Sequence, residues 1–289
     1  MKKIICLASI LMLLITSGCS KEPYEINQKF IDQANELYDA GKFDEVISLL
    51  QPEIDKGSVI AKYMVGLVNV FEPIENPDYE LGFKYMQEAV DAGYPKAYNG
   101  MGLLYRNGVE ALGIKPDYDK AIEYYQKAFD AGLPAGMHNM ASVYALMDND
   151  EKRIECYEKA AENGYLESYS CLASYYLYEN PNYEKAFDCF KKAAEKGDAL
   201  AMNNMGDMYE NGLGVKQDFQ KAIECFQNAI DNGEPTGYLS LGYVYQVGDG
   251  VEVDLQKAKE YYQLAIDNGV GDAQIYLDAL LEEINQQSK

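Results

Sequence analysis

Residues 201–233 read AMNNMGDMYENGLGVKQDFQKAIECFQNAIDNG, and their internal spacing decides the fold. Counting back from Gly233, Ala229 lies four residues before it, Phe226 seven and Asp218 fifteen. That is one apolar face of a helix, begun by a residue whose carboxylate can accept an orphan amide of the first turn and ended by a glycine. The preceding stretch is counted forward from Gly197: Ala201 at four, Met205 at eight, Gly206 at nine and Tyr209 at twelve. Those offsets also share one helical face. Between the two faces stand Gly212 and Gly214, so the segment predicts two antiparallel helices joined by a turn.

Working outward, the same pattern recurs around Gly57, Gly93, Gly132, Gly164, Gly197, Gly233 and Gly269, 32 to 39 residues apart. Four residues after each glycine comes a small side chain (Ala61, Ala97, Gly136, Ser168, Ala201, Gly237, Ala273). The ninth position is Gly66, Gly102, Ala141, Ala173, Gly206 or Gly242, and the twelfth is tyrosine in five units. Alanine stands four before six of the seven glycines. Asp78, Asp117, Asn149, Asn182, Asp218 and Asp254 stand fifteen before six of them. Glycine inside a helix costs about 1 kcal/mol relative to alanine. Its recurrence at offset nine therefore predicts a neighbouring helix too close for a side chain, with the recurring alanine as the expected counterpart.

Taken together, Ala201, Met205-Gly206, Tyr209, the Gly212–Gly214 loop, Lys221-Ala222, Phe226, Ala229 and Gly233 resemble the Sel-1-like repeat family, a relative of the tetratricopeptide repeat. The resemblance implies an all-α fold, an α-solenoid or superhelix of antiparallel helix–turn–helix repeats, with six such repeats over 59–270. Residues 27–58 look like a degenerate tetratricopeptide hairpin, in which Lys42 replaces the capping residue and Glu53 the alanine. Residues 271–289 keep only a first helix, as a capping helix would.

The N-terminus has its own reading. Lys2 and Lys3 precede an apolar run from Ile4 to Ile15, and Thr16, Ser17 and Gly18 precede Cys19. A run this short does not span a bilayer and reads as a signal peptide. The small residues before a cysteine resemble the lipobox of bacterial lipoproteins. That resemblance implies removal of residues 1–18, lipidation of Cys19 and a short linker over 19–26. Acyl burial at about 0.8 kcal/mol per CH₂ makes two or three chains a firm anchor. Ser20 after the lipidated residue implies the periplasmic face of the outer membrane, if the host is Gram-negative.

Net charge is −22, and loss of residues 1–18 removes two lysines and no acid. Such a surface excludes nucleic acid as a partner and suits a basic protein. One histidine, His138, is present, so no two-histidine metal site forms, and no nucleophile, nucleotide or zinc motif occurs. No catalytic residue, metal or cofactor is expected. Cys156, Cys189 and Cys225 share a register where other units carry tyrosine, and read as packing residues.

In tetratricopeptide arrays the first helices line a concave face that grips peptides or a partner domain. By that resemblance, offsets 6, 10 and 13 point into the groove, which assigns partner binding to Asn99, Arg106, His138, Asn203, Asp207, Glu210 and Tyr243, with Tyr63, Ser142 and Gln246 beside them. His138 is expected to be solvated, and Asn203, Asp207 and Glu210 to share an exposed face. The function expected is a non-enzymatic, lipid-anchored scaffold for protein–protein interaction in the cell envelope. The alternative is an immunity protein that sequesters a secreted toxin, and a third class is a small-ligand binder or hydrolase.

Overall fold

The computed structural model describes residues 28–287. These residues are all-α, with no β-strand among them; Val109 and Ile114 form a single bridge in a loop. The first hairpin is α1 (Gln28–Asp39) and α2 (Phe43–Asp55). Next come α3 (Val59–Phe71) with α4 (Tyr79–Asp91), α5 (Pro95–Asn107) with α6 (Tyr118–Asp130), and α7 (Ala135–Leu146) with α8 (Asp150–Glu162). α9 (Glu167–Ser174) runs on through a π-helical turn at Tyr175–Glu179 and pairs with α10 (Tyr183–Ala194). α11 (Ala199–Asn211) pairs with α12 (Phe219–Asp231), and α13 (Thr236–Val247) with α14 (Leu255–Asp267); α15 (Ala273–Gln287) has no second helix among the described residues. The chain divides into two compact units, one through Ala160 and one from Ala161.

Identical joints build each hairpin. All seven repeat glycines have positive φ, between 78° and 100°, the left-handed geometry that costs glycine nothing. At Gly233 the amide donates to Ile230 O at 2.9 Å and the next amide, of Glu234, to Ala229 O at 2.9 Å, the paired bonds of a Schellman stop. At the other end of the second helix, all six expected caps accept the amide three residues on. The distances run from 2.9 Å for Asp78 to 3.2 Å for Asp218. Lys42, by contrast, makes no side-chain cap. The cap residue's own amide then donates back to the offset-twelve tyrosine carbonyl: Asp117 to Tyr105 at 2.7 Å, Asp218 to Tyr209 at 3.0 Å, Asp254 to Tyr245 at 2.8 Å. Where α3 has Asn69 in place of tyrosine, its side-chain Oδ1 accepts Asp78 N at 2.8 Å instead.

In the five units that have the tyrosine, the lysine three residues after the cap closes the clasp over it. Lys120, Lys152, Lys185, Lys221 and Lys257 place their Nζ 4.0–5.3 Å from the centroids of Tyr105, Tyr144, Tyr176, Tyr209 and Tyr245. Each contact contributes about 0.5–1 kcal/mol at an exposed site.

The offset-nine glycines do mark close approach, but the neighbour is not the alanine. A Cβ on Gly102 would lie 2.5 Å from Tyr125, on Gly206 2.4 Å from Phe226, on Gly242 2.5 Å from Tyr262 and on Gly66 2.8 Å from Met86. The large residue seven before the next repeat glycine lies flat on the bare backbone of its hairpin partner. Ala128 instead meets offset four of the following hairpin, where a Cβ on Gly136 would be 3.1 Å from that of Ala128 and 2.4 Å from Tyr125 O. On α15 offset nine is Asp278, exposed and accepting a hydrogen bond from Gln274.

The first unit holds a continuous core from Ala34 to Leu104, with Leu50, Tyr63, Met86 and Met101 fully buried. Its N-terminal hairpin is tied to α3 by the Tyr38 hydroxyl, which donates to Glu72. The alanine substitute Glu53 is buried and paired with Lys56 at 2.7 Å. In the second unit Phe226 and Leu241 centre one cluster, and Tyr262, Leu277 and Leu280 another.

Candidate partner-binding site

The residues assigned to the groove fall in both units, and each set rests on contacts between the first helices of successive hairpins, α5 with α7 and α11 with α13. Cys19 lies outside the described residues.

In the first unit Asn99 and Arg106, seven residues apart, occupy one face of α5. Asn99 is fully buried, so its assignment to an open groove is corrected. Its Oδ1 accepts Asn139 Nδ2 at 2.8 Å across to α7. The Asn139 carbonyl accepts Ser142 Oγ at 2.6 Å, and Ser142 Oγ accepts Arg106 Nη1 at 3.1 Å. Arg106 Nε donates to Asn107 Oδ1 at 3.1 Å. Asn99 Nδ2 and the Tyr125 hydroxyl, both buried, have no hydrogen-bond partner. His138, read from sequence as solvated, is half-buried with its ring 5.2 Å from that of Tyr157. Burial first, and the Arg106 charge second, push its pKa down to about 4, so the imidazole is neutral at pH 7.

In the second unit Asn203 is 6% exposed and its Oδ1 accepts Ser240 Oγ at 3.3 Å. It is a bridge between α11 and α13, and the expectation of an exposed face is corrected there too. The carboxyl of Asp207 is raised by burial to about 6. That of Glu210 is raised to about 7 by burial, then by Asp207 and by Asp249 from the loop after α13. Glu210 Oε1 has no hydrogen-bond partner. Tyr243 is 43% exposed. Gln246 beyond it receives the Tyr262 hydroxyl and donates to Glu283 on α15.

The structure therefore joins Asn99 and Arg106 in one polar network through Asn139 and Ser142, with His138 on the same helix as those two, and sets Asn203, Asp207, Glu210 and Tyr243 along another face. Missed by sequence reading were Asn139 and Ser240, which sit at offset seven of their units and bond an offset-six asparagine one unit earlier. Their signal was a small polar residue one place after the groove register. Among the described residues no group of three or more His, Cys, Asp or Glu side chains is placed to hold a metal, and no helix is long and apolar enough to cross a membrane.

The model of the Sel1 repeat matches six segments, 60–94, 95–133, 149–165, 172–198, 199–234 and 235–270, more than half of the chain. No curated protein matches its sequence. Among solved structures, a Sel1 repeat protein from Oxalobacter formigenes is similar over 81% of this chain and 95% of its own, at 23% identity and a TM-score of 0.53. A protective antigen of uropathogenic Escherichia coli is similar over 89% of this chain at 24% identity and a TM-score of 0.59, and the match spans 59% of that longer protein. An immunity protein from Pseudomonas aeruginosa is similar over 74% of this chain and 82% of its own, at 24% identity and a TM-score of 0.42.

Proposed function

The chain belongs to the Sel1 repeat family, and from that premise we propose that it is a non-enzymatic scaffold, anchored through a lipid on Cys19 in the bacterial cell envelope, that holds a basic protein partner. Sel1 repeats in general serve protein–protein interaction without chemistry of their own. The observation that carries the reading is the face of the second unit where Asp207 and Glu210 lie partly desolvated on α11 and Tyr243 stands exposed on α13. Carboxylates already stripped of water lose little more when a cation arrives, and an exposed tyrosine offers contact area at small entropic cost. The test is capture from envelope extract by the wild type and by Tyr243→Ala/Glu210→Gln, at two salt concentrations. A partner retained by the wild type, lost from the variant and weakened by salt supports the reading. Equal capture by both proteins overturns the assignment of this face, and a captured secreted toxin would make the scaffold an immunity protein.

A further inference from the structure

Charge in the second unit is sorted by layer. None of its first helices, α9, α11, α13 and α15, carries a lysine or arginine, whereas α11 and α15 bring Asp207, Glu210, Asp278, Glu282 and Glu283. Among the described residues, every lysine of the unit stands on a second helix or in a loop. Successive first helices meet through side chains one offset apart. Asn203 at offset six bonds Ser240 at seven, at 3.3 Å, and Gln246 at thirteen bonds Glu283 at fourteen, at 2.9 Å. The same step sets Glu210 on α11 in register with Val247 on α13. α13 therefore lies between two borders that carry acids and no cation. It is apolar where it stays open: Tyr243 and Val247, one turn apart on one face, are both exposed. Val253, exposed too, folds back onto the end of the same helix, where a Cβ on Gly248 would lie 2.8 Å from its Cγ2. A run of exposed apolar side chains with a polar rim marks an interaction surface.

We propose that the strip of Tyr243, Val247 and Val253, with its acidic borders on α11 and α15, seats one amphipathic helix of the protein partner, apolar along one stripe and basic along both flanks. The existence of a partner rests on the scaffold reading; the strip and its borders specify which of its segments binds. Neighbouring packed helices lie about 8–10 Å apart, so two steps, about 16–20 Å, separate the borders. A helix about 10–12 Å across covers the strip, and lysine side chains on its flanks reach the acids on either side. Its anchors recur at three and four residues, the spacing at which Tyr243 and Val247 present themselves. An extended chain turns alternate side chains towards and away from the surface, so it cannot serve the strip and both borders at once. A basic helix meets no cation on any first helix of the unit.

The probe is a fluorescein-labelled leucine–lysine peptide about five helical turns long, its leucines at helical spacing, titrated against the full chain by anisotropy. The control has the same composition and charge, with leucine and lysine in strict alternation, a pattern that suits a strand. We expect the helical peptide to bind the wild type about tenfold more tightly than the control, and to gain helix by circular dichroism on binding. Val247→Asn/Val253→Asn should weaken it about tenfold and Glu282→Gln about threefold. Both substituted proteins should keep the wild-type melting temperature, because the altered side chains are exposed. Leu146→Asn/Met147→Asn, at an exposed apolar pair of the first unit, should leave the affinity unchanged. Equal affinity for the two peptides, or tighter binding of the alternating one, overturns the helical occupant. Undiminished binding by Val247→Asn/Val253→Asn, or an equal loss in Leu146→Asn/Met147→Asn, overturns the strip as the site. If the double variant melts early, Glu282→Gln decides: an affinity equal to the wild type's overturns the acidic border. No partner enters this titration, so its failure leaves partner capture standing, and failed capture leaves a positive titration standing.

Discussion

At Gly206 the absence of a side chain is a packing requirement, because the Phe226 ring occupies the space a Cβ would take, 2.4 Å from its position. Two effects oppose each other in Gly206→Ala. Helix propensity favours alanine by about 1 kcal/mol, while overpacking a filled core costs about 1–3 kcal/mol. The ring is fully buried against the partner helix, so overpacking should win and Gly206→Ala should lower stability. In a Phe226→Leu background the same change should be neutral or stabilising, and a double-mutant cycle from denaturant melts should show a coupling above about 0.5 kcal/mol. Additive effects would mean the ring is not what excludes the methyl group. Asp207 and Glu210 give a prediction in pH. Their folded-state pKa values, about 6 and 7, lie above the reference values of 3.8 and 4.5. Between about pH 4 and 7 the native state therefore binds more protons than the unfolded one, so stability is greatest in mild acid and falls as pH rises through 6 and 7. General charge repulsion acts in the same direction, so the informative quantity is a difference. Asp207→Asn/Glu210→Gln should show a visibly shallower fall in melting temperature between pH 5 and 8 than the wild type, and an unchanged slope would mean those carboxyls are solvated.

The hairpin was the most legible level, because its signals are local. A capping aspartate, a stop glycine and a face of period 3.6 each act within a turn or two of themselves, and all six caps form as the spacing implies. Lys42 is the informative departure. Lys42→Ser should raise stability by about 0.5–1 kcal/mol by giving α2 a cap, while Asp218→Ala should lower it by about 1 kcal/mol; thermal melts of the two single variants would check both signs. What lies between helices was less legible. The ring and the alanine of the second helix recur with one period, so periodicity alone could not say which of them faces the glycine at offset nine. The groove register failed for a related reason. A helical wheel separates the side facing a helix's own hairpin partner from the rest. It does not reveal that a first helix is also covered by the first helix of the next unit, which is why Asn99 and Asn203 looked exposed and are buried bridges. Tyr243, at offset ten of its unit and not at offset six, stays exposed.

On the scale of the whole molecule, acidity and anchoring belong to the proposed function. Replacing Cys19 with Ala should abolish incorporation of labelled palmitate and leave a precursor that still carries residues 1–18, both readable by mass spectrometry of the isolated protein. A wild-type N-terminus without lipid mass would remove the anchor from the proposal and leave the repeat scaffold intact. Asp278 bears on a different matter, the routes by which such a protein can acquire new specificities. A hairpin duplicated between Gly197 and Gly233 brings its own ring and its own ring-receiving glycine, so both new seams copy an existing one. A second helix added behind α15, completing its hairpin, would have to lay its ring on an aspartate, putting a carboxylate where the other units carry glycine or alanine. Recombination can therefore lengthen the array from within, while pairing a second helix with α15 requires a small residue, glycine or alanine, in place of Asp278.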